Sequence, residues 1–335
     1  MVGQVPFFSE IGDDASNNQR SEKREKSHRP THLVCKSYTD LSIKRRAVEA
    51  GTGLKVRREV LRCQSDDIEG RKFGGPEVGF REIGFCWQYV ESTMGNLSNK
   101  RALVTGAAGG IGTAITQALQ AQGVIVTGVD RENGDADHFI VGNLMDAAFC
   151  DGLPSKAAEL MGGLDILVNN AGIITRGKIT EASDDDLRRT IGVNVEAPFR
   201  LCRATIPIMA DAGSGAIVNV ASCWGVHPGP DHPLYVMSKA AIASLTQCFG
   251  ARGHDLDIRV NAVCPNEVNT PMLRTGFAIR GFDPDSAIEK LNATVPLGRI
   301  AEPEDIADVV VFLASDQARY LCGALIEANG GKPVG

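Results

Sequence analysis

The chain has 335 residues, 43% hydrophobic, 23% charged and net charge −6, which allows two domains, or one large α/β domain with an appendage, and excludes a collagenous or wholly disordered chain. The acidic balance offers nothing to nucleic acid or an anionic membrane surface. No apolar run approaches the roughly 18 residues of a membrane span, and the N-terminus MVGQVPFFSEIGDDASNNQ lacks the basic-then-apolar order of a secretory leader. The nine cysteines, an odd number with none in CxxC spacing, fit free thiols in a reducing cytosol, so a cytoplasmic location is expected.

Charge divides the chain near Met94. Residues 1–93 hold 16 Lys+Arg and 14 Asp+Glu, whereas residues 94–335 hold 19 and 27. The first segment mixes charge clusters (SEKREKSHR, IKRRAVE) with glycine-rich pieces and keeps neither a helical nor a strand period. It is expected to be a weakly ordered extension, with a basic partner-binding arm as the alternative, ahead of a single domain over 94–335 that opens at MGNLSNKRALVTG.

From residue 100 strands and helices alternate. KRALVTG reads as a strand followed by a helix to about Gln122; GVIVTGVD and HFIVGNL read as the second and third strands, joined by a link too short for an ordinary helix. A helix over 147–161 leads to LDILVNNAG, and one long helix is expected over 184–212. The strand GAIVNVAS, a helix over 233–252, the strand IRVNAVCP, a variable stretch 271–292, the helix after EPED and the strand near GALIEANGG complete the series. Near-continuous Val/Ile/Leu strands, each followed by a helix, imply a parallel sheet covered on both faces. Right-handed crossovers then give a doubly wound (Rossmann-type) α/β fold with ligands at the carboxyl ends of the strands.

The first strand-to-helix turn is TGAAGGIG. Glycines such as Gly106, Gly110 and Gly112 let backbone turn tightly and approach a pyrophosphate, while the helix N-terminus supplies N–H groups and positive dipole. The second strand ends in Asp130, a carboxylate that can accept both adenosine-ribose hydroxyls and repel a 2′-phosphate, which favours NAD over NADP. Arg131 beside it is the opposing signal. Asn170, Ala171 and Gly172 end the fourth strand, where a backbone can approach an adenine ring.

Ser222 ends the strand GAIVNVAS, and Tyr235 and Lys239 share one helix face at i,i+4 spacing. A phenol of pKa about 10 is a poor base near neutrality, and a nearby ammonium favours the phenolate. Ser222 is placed to hydrogen-bond the reacting oxygen.

Taken together, TGAAGGIG, NNAG, VNV with Asn194, a serine 13 residues before YVMSK, and PLGRIAEPEDIADVVVFLASD resemble the short-chain dehydrogenase/reductase family over about residues 98–335. The resemblance implies that Tyr235 is the general acid/base, that Lys239 lowers its pKa and holds the nicotinamide ribose, that Ser222 orients the substrate oxygen, and that Asn194 supports a water-linked proton relay. It also places Ile111, Asp130, Asn143, Leu144, Asn170, Pro265, Val268 and Thr270 against NAD, and implies a homo-oligomer, a homotetramer or a dimer. Three departures stand out: Asn143-Leu144 for the usual Asp-Val or Asp-Leu, Pro265-Asn266 for Pro-Gly, and Asn329-Gly330-Gly331 for Asp-Gly-Gly. Asn tolerates positive φ, so the turn at Asn266 is expected to survive.

For the substrate side, Cys223 is expected as a pocket wall, Trp224 as an aromatic face or simple packing, His227 and His232 as pocket rim rather than metal ligands, and Arg274 and Arg280 as surface charges able to meet an acidic substrate. The leading function is an NAD-dependent interconversion of a secondary alcohol and a ketone on a small polar substrate: a sugar, polyol, cyclic diol or hydroxy acid. A 3-oxoacyl thioester reductase using NADPH, a dihydrodiol dehydrogenase of aromatic metabolism and a catalytically silent nucleotide-binding scaffold are the alternatives.

Overall fold

A computed structural model describes residues 97–250 and 256–332. The expected extension over 1–93, and the end of the helix expected over 233–252, lie outside the described residues. Within them, seven strands form one parallel sheet in the order β3-β2-β1-β4-β5-β6-β7. They are β1 (Arg101–Thr105), β2 (Ile125–Asp130), β3 (His138–Val141), β4 (Ile166–Asn169), β5 (Gly215–Val220), β6 (Ile258–Pro265) and β7 (Leu325–Ala328). The order reverses between β1 and β4, and a crevice at the carboxyl ends of the strands opens at such a switch point.

The central strands are apolar at nearly every position because both faces are covered. Ala102 and Val104 of β1, with Ile166 and Val168 of β4, pack into a core beneath α1 (Gly110–Ala121) and α9 (Pro303–Ala314). Leu103 and Leu167, the alternate residues, face a second core beneath α2 (Ala147–Met161) and α4 (Ala197–Ala212). Local chemistry sets the ends of α2: Asp146 accepts hydrogen bonds from Ala148 and Phe149 N–H at 2.9 and 3.2 Å, and Gly162 closes it at φ 75°.

Two segments depart from the sequence reading. The helix expected over 184–212 is α3 (Asp184–Ile191), a π-helical turn over Gly192–Glu196, then α4. The variable stretch folds as α7 (Pro271–Ile279) and α8 (Pro284–Asn292), started by Thr270 and Asp283, whose side chains accept from Leu273 and Ser286 N–H. The remaining helices are the short α5 (Cys223–Val226) and α6 (Pro233–Gly250). Among the described residues no helix is long and apolar enough to cross a membrane.

Candidate active site

The glycine-rich turn is built by contacts glycine alone permits. Gly106 has φ 67°, and a Cβ there would sit 2.8 Å from Ala171 Cα. A Cβ on Gly112 would collide with the Gly106 carbonyl and lie 2.8 Å from Asn170 Nδ2. Asn170 fastens this turn to β4: its Nδ2 donates to the carbonyls of Thr105 (2.9 Å) and Gly106 (3.1 Å), while its N–H donates to Thr105 Oγ1 (3.1 Å). At the start of α1, Gly109 contributes no side-chain cap and the first turn carries no acid, which leaves the positive end of the helix free to meet an anion.

A cavity of about 760 Å³ opens in front of this turn, with Gly106, Gly110, Ile111, Gly112, Asp130, Asn143, Leu144, Asn170, Ala171, Gly172 and Thr270 in its walls. Arg131 and Arg189 line it too. Asp130 is half-buried; its Oδ2 accepts from Ala108 N–H (3.1 Å) and its Oδ1 from Arg131 N–H (2.7 Å), so backbone amides hold the carboxylate at the cavity wall. Asn143 Oδ1 accepts from Met145 N–H (3.0 Å). Asn266 is not among the positive-φ residues, which outside glycine are Asn99, His232 and Asp257 among the described residues. The turn after β6 therefore forms without the left-handed residue expected there. The glycine cradle, the uncapped helix start and the fixed carboxylate suit the pyrophosphate and ribose of a dinucleotide.

A second cavity, about 210 Å³, shares the walls Ile111, Asn170, Gly172, Ile173, Thr270 and Met272 with the first. It brings together Ser222, Tyr235, Lys239, Pro265 and Val268, and adds Trp224, Arg176, Asn266 and Glu267. Ser222 follows β5 as the N-cap of α5, its Oγ accepting from Trp224 N–H (3.2 Å). Tyr235 rises from α6, with the Trp224 ring edge-on at 6.3 Å. Burial pushes the Tyr235 phenol up from its ordinary pKa; the neighbouring Ser222 hydroxyl and Arg176 cation pull it back.

Lys239 is 5% exposed; its Nζ donates to the Val220 carbonyl (2.8 Å) and lies 5.8 Å from the Tyr235 ring centroid. Burial pushes its pKa down to about 8. Asn194, in the π-turn, is committed to structure: its Oδ1 accepts from Ile173 N–H (2.8 Å) and its Nδ2 donates to the Ile173 carbonyl (2.9 Å) and Ser238 Oγ (3.0 Å). Those bonds fix the chain after β4 against the helix carrying Tyr235 and Lys239.

Three residues expected on the substrate side are not among the walls of this cavity. Cys223 does not wall the cavity: α5 turns it into the core, fully buried, where its Sγ donates to the Cys264 carbonyl (3.0 Å) and burial pushes its pKa up to about 12. His227 is drawn away from the cavity by Glu327 (2.9 Å), and Arg274 by Asn269 and Asp285 (3.0 and 2.8 Å). His232 instead stacks near Trp224 at 5.5 Å and accepts from Gly177 N–H through Nδ1 (3.3 Å). Arg176, which joins Lys239 as a cation in the cavity wall, carries no motif of its own in the sequence. The one available signal was its place just after NNAG, on a segment leaving the carboxyl edge of the sheet. No group of three or more His, Cys, Asp or Glu able to hold a metal ion occurs among the described residues.

A doubly wound sheet with a glycine-rich first turn, joined to a cavity holding Ser, Tyr and Lys, defines a dinucleotide-binding α/β oxidoreductase. The chain belongs to the short-chain dehydrogenase/reductase family: a family model described as enoyl-(acyl carrier protein) reductase matches residues 106–332. It is 33% identical over 249 residues to the 3-oxoacyl-[acyl-carrier-protein] reductase FabG of Thermotoga maritima, covering 70% of this chain and 98% of that one. It is also 33% identical over 258 residues to the trans-4-hydroxycyclohexanecarboxylate dehydrogenase of Sinomonas cyclohexanicum, covering 71% and 95%. Among solved structures it resembles the ligand-free aldohexose dehydrogenase of Thermoplasma acidophilum (TM-score 0.67, 30% identity, 71% of this chain and 95% of that one). A structure described as an NAD(P)-dependent gluconate 5-dehydrogenase of Beutenbergia cavernae, with NADP bound at low occupancy, is similar at TM-score 0.65 and 32% identity, covering 71% and 98%.

Proposed function

We propose that the protein oxidises a secondary alcohol to a ketone, or the reverse, with NAD as its preferred partner. The observation that carries this reading is the junction of the two cavities: the walls they share set the cavity in front of the glycine-rich turn, which suits a dinucleotide, beside the Ser222, Tyr235 and Lys239 side chains. A bound nicotinamide supplies hydride acceptance and donation. The chain's own residues manage the oxygen and its proton. Ser222 hydrogen-bonds the carbinol or carbonyl oxygen. Tyr235 takes the hydroxyl proton on oxidation and returns it on reduction, a step worth roughly 10²–10⁴-fold. The buried Lys239 cation, 5.8 Å from the phenol ring centroid, favours phenolate over phenol. Asn194 holds the framework, and through it the water-linked relay to Lys239 that we assign to this segment.

NAD is favoured because Asp130, fixed by two backbone N–H groups, presents a negative charge where an adenosine 2′-phosphate would need a positive one. The NADP in the gluconate 5-dehydrogenase structure is the contrary observation. The similarity to FabG supports a second reading, NADPH-dependent reduction of 3-oxoacyl thioesters. Following cofactor absorbance with NAD and NADP over a panel of sugars, polyols, cyclic alcohols and hydroxy acids tests the first reading, and NADPH with a 3-oxoacyl thioester tests the second. Oxidation of at least one secondary alcohol, faster with NAD, is expected; thioester reduction with NADPH alone would reverse the order.

A further inference from the structure

We propose that Arg176 sets the specificity of the substrate cavity by holding a carboxylate, so that the preferred substrate is a hydroxy monocarboxylate with a short hydrocarbon spacer. The proposal rests on the dehydrogenase reading above and deepens it. Two cations line the cavity, Arg176 and Lys239. Lys239 is buried and engaged with the Val220 carbonyl. Arg176 is half-buried, makes one long hydrogen bond, from Nη2 to the Met272 carbonyl (3.3 Å), and has no carboxylate within ion-pair distance among the described residues.

That is unusual company for a half-buried guanidinium among the described residues; Arg131, Arg280 and Arg319, which also lack a carboxylate partner, are exposed. Arg101 is bound by Asp165, Arg200 and Arg203 by Asp151, Arg274 by Asp285 and Arg299 by Asp305. Arg259, also without a carboxylate, spends its donors on four backbone carbonyls at the end of α9. Most of the Arg176 donors remain available for a planar, bidentate acceptor, the geometry of a carboxylate. Its surroundings sharpen the demand for an anion, since Arg280 repels it and burial strips part of its hydration. A bed is also provided: Gly276 of α7 lies against the guanidinium, which would have to shift to admit a side chain there. The one carboxylate in the cavity wall, Glu267, is neutralised by Lys332 at 2.6 Å.

The rest of the cavity explains the spacer. Ile173, Ile174, Trp224, Met272 and Leu273 supply apolar walls that suit hydrocarbon better than a chain of hydroxyls. A molecule with its hydroxyl at Ser222 and Tyr235 and its carboxylate at Arg176 meets the wall cation that has donors to spare, Lys239 being engaged with the Val220 carbonyl.

The test uses hydroxy monocarboxylates, cyclic and open-chain, each beside its primary amide, which keeps the shape and removes the charge. In the full-length enzyme with NAD, kcat/KM for the acid should exceed that for its amide by ~10- to 100-fold, the range for a hydrogen bond to a charged group. Arg176→Met should erase the acid-over-amide ratio, with the difference lying in KM and any change in kcat from the weakened pull on the Tyr235 phenol common to acid and amide, and Arg176→Lys should keep part of the ratio. Calorimetry with cyclohexanecarboxylate against cyclohexanecarboxamide, neither of which has a hydroxyl to oxidise, should show the same discrimination in binding. Equal turnover of acid and amide by the unaltered enzyme, or an equal loss of both in Arg176→Met, would overturn the proposal while leaving the dehydrogenase reading intact. Arg176-dependent carboxylate binding without oxidation of any alcohol would do the reverse.

Discussion

Replacing Lys239 with methionine should favour the unliganded protein, relative to the unaltered one, more at neutral pH than in base, while abolishing turnover. The Lys239 ammonium is 5% exposed, and burial lowers its pKa from 10.5 to about 8. Because the folded-state pKa lies below the unfolded one, the folded protein binds fewer protons between pH 8 and 10.5, so stability rises with pH through that window. Below pH 8 the penalty is fully present, at about 3 kcal/mol for a shift of this size. Methionine keeps the apolar stem and removes the charge, but leaves the Val220 carbonyl without its 2.8 Å donor, a cost of about 1–3 kcal/mol that does not vary with pH. The informative quantity is therefore the difference in unfolding free energy between variant and unaltered protein, measured by urea denaturation without cofactor at pH 7 and pH 10. It should shift in favour of Lys239 by about 2–3 kcal/mol as the pH rises. A difference constant to within about 0.5 kcal/mol would refute the claim that the buried ammonium is destabilised by its setting.

Two further changes probe the dinucleotide end. Asp130→Ser should narrow the NAD preference by about 10-fold or more in Kd, since it removes the charge opposed to a 2′-phosphate and leaves Arg131 to meet it; an unchanged ratio by fluorescence titration would remove Asp130 from cofactor choice. Gly112→Ala should weaken NADH binding by at least about 10-fold and lower the melting temperature, because the added methyl runs into the Gly106 carbonyl; undiminished affinity would show that the turn yields.

Much of this architecture was legible because its causes are local. Continuous apolar strands exposed the parallel sheet, and the Asp146 cap with Gly162 bounded α2 at the predicted residues 147 and 161. The glycine turn, Asp130 and the Tyr235–Lys239 pair were readable because each sits at a fixed distance from a recognisable strand or helix end. What escaped depends on contacts between distant segments. The π-turn at 192–196 is pinned by Asn194 to Ile173, and His227 is claimed by Glu327, one hundred residues on. Cys223 turns inward because Ser222 starts a short helix, which a serine after a strand does not by itself announce. Arg176 gains meaning only once α7 folds back to put Gly276 beside it and Met272 above the same cavity. Sequence pattern marks which residues bear chemistry; which of them face one another is settled by tertiary packing.

The central claim is that Tyr235 moves the substrate proton, and Tyr235→Phe tests it most directly, because the change deletes one oxygen and keeps the ring beside Trp224. With an alcohol the enzyme oxidises, turnover should fall by roughly 10²–10⁴-fold, while NADH affinity, followed by fluorescence titration, stays within about threefold. A variant keeping more than about a third of the activity would contradict the account.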